Sequence, residues 1–295
     1  MLGIFNREKQ LLDEDIILWI FDSYAWAMEQ FDKTVFLDEA VLVLPNNEYF
    51  PGKETSVEGM ADLIFSQVKA YAGMEHWPTE LVRLDETQCE LPQQPPLIVS
   101  GKLRGKGAVA EFKSYSPQLP VVDESVHFSS MPVSSFPHPK MQQVSTESAS
   151  AKAIIFAYHS QQLRSPEGII AHFVHGLSHH LISAAGKLPP GGKDYLPMAG
   201  ELIGIFMGFG VIFANSAIVP RSGGCGGCGG AQAPFRQVFM NEEESTYALA
   251  LFCQLKGIDG KKAARHLKKH LRGFFKSALR DCKQRLEHYP QLKLV

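Results

Sequence analysis

Very little net charge is left on this chain, because 29 Lys and Arg stand against 31 Asp and Glu, giving −2 at pH 7. Such a balance offers no global attraction to nucleic acid or to an acidic lipid surface, so either partner would need a local patch. Cysteine is scarce too: five residues, an odd number in 295, do not read as a disulfide framework and fit a reducing compartment. The opening stretch MLGIFNREKQLLDEDIILWIF mixes acids and bases around a short apolar run and lacks a small-residue cleavage site, so the expectation is a cytoplasmic protein without a secretion signal. No fixed-period repeat is visible. Long apolar runs are almost missing as well. The one exception, LIGIFMGFGVIFANSAIV over 202–219, holds Asn215 and Ser216, is followed at once by Pro220 and has no basic N-terminal flank, so it reads as a buried helix and not as a membrane span. Gly200, Gly204 and Gly208 recur every fourth residue and form a bare stripe that lets another helix approach closely.

What is present is a globular composition, 45% hydrophobic and 20% charged, long enough to bury a sizeable core. Apolar residues at three- and four-residue steps predict an amphipathic helix over 11–31. Residues 34–44 read as one or two short extended pieces closed by the turn LPNNEYFPG, and a second helix follows over 56–71. Short β-prone runs at 97–100, 109–114 and 121–128 suggest a small sheet. Residues 1–130 are therefore expected to form a small α+β region, and the Pro, Ser and Thr of 131–150 a connector. Beyond it, 153–163 reads as an edge strand. Ser165 as N-cap, Pro166 at the first helical position and Glu167 beside the positive helix end start a helix that runs to about Ala184. A second apolar helix spans about 198–214. The glycine-rich loop RSGGCGGCGGAQAP comes next, and Asn241 then caps a helix closed by Gly257. The last helix, about 260–288, is amphipathic and basic. The fold class is α+β: a small N-terminal part, a mainly helical region over 151–258 with its Gly/Cys-rich loop at 222–234, and a basic C-terminal helix within 259–295 packed on the body.

The segment 171–182, AHFVHGLSHHLI, carries the most chemistry. His175 and His179 stand one helical turn apart, a spacing at which two imidazoles can share a metal ion. It also resembles the zinc-protease signature HExxH, with Gly176 where the glutamate would stand. In a zincin that glutamate takes a proton from zinc-bound water, so the metal site can survive here while the hydrolytic base is gone. Glu201 lies 22 residues past His179, in the order of the gluzincin arrangement, where a glutamate on a following helix completes the site. His172 falls on the same stripe as His175 and His179 and offers a three-histidine alternative. His180 is turned about 100° away and suits an outer or packing role. Against all of this stands the plain reading that these are core or surface histidines.

The chain as a whole resembles a family of uncharacterised bacterial proteins with a zincin-like domain, through LPNNEYFPG, SPEGIIAHFVHGLSHHLI, GELIGIFMGFGVIFANSA and TYALALF in that order. The resemblance implies zinc as cofactor, His175, His179 and Glu201 as ligands, and a degenerate, peptide-binding or scaffold domain in place of an efficient peptidase. An active zinc metallohydrolase with a non-standard base, Glu167 or a loop acid, is the alternative.

Cys225 and Cys228 form one CxxC in a run of glycines, half of a metal site, and a flexible loop with two exposed thiols is the simpler reading. The C-terminal helix carries ten Lys and Arg between 261 and 285 and could neutralise phosphates, yet without aromatic interleaving it reads as a solvated face in preference to a nucleic-acid arm. The partners expected are therefore an unidentified peptide or protein, with no membrane.

Overall fold

The computed structural model describes residues 11–84, 97–114, 153–217 and 236–292. Helix α1 (Glu14–Gln30) starts where Asp13 accepts a hydrogen bond from the Asp15 N–H, and it buries Trp19, Ile20, Phe21, Tyr24 and Ala27. Residues 34–44 are not simply extended. Val35–Glu39 form one wide helical turn, and Lys256 Nζ donates to the Phe36 carbonyl that this turn leaves over, at 2.7 Å. Helix α2 (Val57–Ala72) lies between the Ser56 cap, which accepts from the Gly59 N–H at 2.9 Å, and Gly73 in the left-handed conformation.

Strand β1 (Thr79–Leu84) was not expected from the sequence. It pairs in parallel with β4 (Ile154–His159), Leu81 opposite Phe156, and so joins residues on the two sides of the 131–150 stretch. Two of the three β-prone runs expected to form a small sheet become β2 (Leu97–Gly101) and β3 (Ala110–Ser114), paired in antiparallel register. The expected strand at 121–128 and the connector lie outside the described residues.

Helix α3 (Pro166–Ala185) begins as the sequence indicates, with Ser165 Oγ accepting from the Gly168 N–H at 3.2 Å. The described part of the apolar run, 202–217, enters the interior, and the helical stretch Gly192–Ser216 that contains most of it is largely buried against the protein itself. It is not one straight helix. Helix α4 (Leu196–Gly204) and helix α5 (Gly210–Ser216) are separated by a wide turn at Ile205–Phe209, where Gly208 takes φ +109°. A Cβ at Gly208 would lie 1.9 Å from the Val41 carbonyl oxygen, and the Val43 N–H donates to the Gly208 carbonyl at 3.0 Å. Glycine is thus required by backbone conformation and by a crossing strand of chain. The other two members of the stripe behave as expected. Gly200 and Gly204 sit against His175 and Val174 of α3.

Asn241 and Glu244 form a reciprocal cap for α6 (Glu242–Leu255), which is buried along nearly its whole length. The basic C-terminal segment is two helices and not one: α7 (Gly260–His266) and α8 (Leu271–Arg285). The break is stabilised from a distance. Asn215 Nδ2 donates to the His266 carbonyl at 2.9 Å and Asn215 Oδ1 accepts from the Lys268 N–H at 3.1 Å, which satisfies backbone groups that a continuous helix would have paired. Leu271, Phe275, Ala278 and Cys282 turn into the core, and Arg272, Lys276, Arg280 and Lys283 remain exposed. The molecule is a mainly helical α+β fold with two small two-stranded sheets among the described residues.

Candidate functional site

The histidine helix α3 is wedged between strand β4, helix α4 and the segment 236–240. Its polar side chains are committed one by one. His172 Nε2 lies 2.8 Å from the Ala157 carbonyl oxygen on β4, and His175 Nε2 lies 3.3 Å from the Pro197 carbonyl oxygen at the start of α4. A carbonyl only accepts, so each of these ring nitrogens carries the proton and has no lone pair to offer an ion. The His175 ring also stacks on Phe239, with centroids 5.3 Å apart at 26°. Gly200 makes the approach feasible, since a Cβ there would stand 2.8 Å from His175 Nε2. Burial pulls the His175 imidazole down to about 4, against the smaller upward pull of the Pro197 carbonyl, so the ring is neutral near pH 7.

His179 points to solvent. His180 turns the other way, its ring 5.4 Å from that of Phe156 and 6.0 Å from that of His179, and burial lowers it to about 4. Gly176, in place of the protease glutamate, packs on the same Phe156. A Cβ at 176 would meet that ring at 2.9 Å, so a larger side chain could enter only if the ring moved.

Glu201 is fully buried on α4 and has taken other partners. One carboxylate oxygen accepts from Arg236 Nη1 and from the Phe239 N–H at 3.1 Å; the second accepts from the Met240 N–H at 2.8 Å. Arg236, equally sequestered, donates through Nε to Ser216 Oγ at 3.0 Å and through Nη1 to the Gln237 carbonyl at 3.1 Å, and its guanidinium lies 5.1 Å above the Phe213 ring. Burial works against both charges, raising the Glu201 carboxyl and lowering the Arg236 guanidinium, and each is offset by the other. Glu167, the substitute base considered above, has Asn215 Nδ2 donating to Oε1 at 2.8 Å, and burial raises its carboxyl.

The arrangement brings His175 and Glu201 to the same border, that of 236–240, but does not gather His175, His179 and Glu201 into a coordination sphere. The residues in this arrangement do not fit a zinc ion: His179 faces solvent while His175 is packed between Pro197 and Phe239, and the Glu201 carboxylate is filled by a guanidinium and two amides. Among the described residues no group of three or more His, Cys, Asp and Glu is placed to hold a metal. Cys225 and Cys228 lie outside the described residues. Arg236 is the residue that sequence reasoning overlooked. Its signal was a lone charge in the apolar context FRQVFM, which implies a partner, although not which one. Compared with protein-family models, with curated proteins and with solved structures, the chain gives no match.

Proposed function

We propose that the chain is a zincin-like domain that has given up hydrolysis and works in the cytoplasm as a binding or scaffold domain for a peptide or protein partner. One observation carries this reading: Glu201, the carboxylate that would complete a gluzincin site, has both oxygens engaged by Arg236 and by the backbone of Phe239 and Met240. A metal would have to displace a buried guanidinium and leave two amides unsatisfied, a cost of several kcal/mol before any coordinate bond forms. Gly176 removes the general base, and the nearby acid Glu167 is held by Asn215. The basic residues of α7 and α8 flank an apolar face seated in the core, which favours a solvated surface over a nucleic-acid arm.

The test is a calorimetric zinc titration of the metal-free full chain, with casein cleavage followed in parallel. The expected result is no stoichiometric zinc binding and no zinc-dependent cleavage. One zinc per chain, lost when His175→Ala and His179→Ala are combined, would overturn the reading.

A further inference from the structure

A cavity of about 400 Å³ lies between the Val35–Glu39 turn, the C-terminus of α2 and the loop 102–109. Its wall includes Arg104, which is 1% exposed, and among the described residues neither Nε nor Nη1 of Arg104 has a hydrogen-bond partner. The guanidinium lies 5.8 Å from the centre of the Phe206 ring, which stabilises the charge from one side and satisfies no N–H. The nearby acids are taken: Glu39 accepts from the Lys106 N–H at 2.6 Å, and Asp32 accepts from the Thr34 N–H at 3.0 Å with Lys102 Nζ at 3.4 Å. His76 Nε2, on the same cavity, is a second buried polar atom without a partner. Two orphaned donors on a buried cation cost several kcal/mol if nothing meets them. Burial lowers Arg104 only to about 10, so it is charged at neutral pH.

From the unmet donors of Arg104, the orphan nitrogen of His76 and the cavity they share, we infer a binding site for a small oxyanion, a carboxylate or phosphate with a compact apolar body. The charged head meets Arg104, which matches carboxylate and phosphate groups by geometry and charge. Lys106 stands exposed on the same cavity, and Val35, Ala70 and Tyr71 supply surface for an apolar body. The inference does not depend on the reading of the histidine helix.

Its test is a thermal-shift and calorimetric titration of the full chain with inorganic phosphate and, separately, benzoate, each against sodium chloride at matched ionic strength. The wild type should bind one of the two saturably at one site per chain, and the stronger probe distinguishes a phosphate ligand from a carboxylate ligand. Arg104→Met should weaken it by at least about tenfold, the loss expected when a hydrogen bond to a charged group is removed. Ala108→Leu, which fills the cavity without touching the charge, should weaken binding as well and serves if Arg104→Met does not fold. Failure of both anions to stabilise the wild type beyond sodium chloride would overturn the site, as would unchanged affinity in either folded variant.

Discussion

Arg236 and Arg104 are the same residue type, removed from water to nearly the same extent, at 5% and 1% exposure, and each lies over a phenylalanine ring. Their surroundings differ in one respect. Arg236 meets a carboxylate, a hydroxyl and a carbonyl, whereas Arg104 has two donors that no described atom receives. A buried charge whose partners come from the chain joins elements of the fold together: here it ties the segment at 236 to α4 and α5. A buried charge without them leaves part of its interaction capacity to something outside the chain. The histidine helix shows a third solution, in which buried bases are kept neutral by desolvation.

The largest expected effect breaks the first member of this comparison. Arg236→Met leaves the Glu201 carboxylate buried without its cation and should cost about 3–5 kcal/mol in denaturant unfolding, by the measured cost of breaking buried pairs. Acid titration of stability probes the third solution. An unfolded imidazole takes up a proton near 6.5 and the folded His175 and His180 only near 4, so between those values the unfolded chain holds more protons. Stability should therefore be fully present above pH 6.5 and fall as the pH drops toward 4, by about 2 kcal/mol for each ring after allowance for partial exposure. Replacing His180 by Gln should flatten that slope; an unchanged slope would show that His180 titrates normally in the fold. Arg104→Met, measured without added anions, should give the smallest change, within about 1 kcal/mol of wild type or slightly stabilising, because Nε and Nη1 have no partner to lose and the relief of an unsatisfied charge is offset by loss of the contact with the Phe206 ring.

What the sequence made legible was whatever is decided locally. Ser165 and Asn241 cap helices where their side chains reach the next turn, and the β-prone runs at 97–100 and 109–114 become strands that pair across a short connection. What stayed hidden depends on partners far along the chain. TELVRL becomes a strand because β4, some seventy residues on, supplies its hydrogen bonds. The basic helix breaks at 267–270 because Asn215 supplies the freed backbone groups with partners. Of the candidate site, Glu201 entered only through the gluzincin-like order of the residues, and the histidine spacing was readable from helical periodicity. The tautomers set by Ala157 and Pro197 and the occupation of Glu201 by Arg236 were not, because each requires a tertiary contact between segments separated by 15 to 35 residues.

The most direct measurement is a double-mutant cycle on Glu201 and Arg236, comparing unfolding free energies of Glu201→Gln, Arg236→Met and the combined variant with wild type. If the pair fills the position of a metal ligand as a structural closure, the combined loss should fall short of the sum of the single losses by about 2–3 kcal/mol. Additive losses would mean that the two side chains do not meet in the folded chain, and Glu201 would again be free to serve His175 and His179 as the third ligand of a metal.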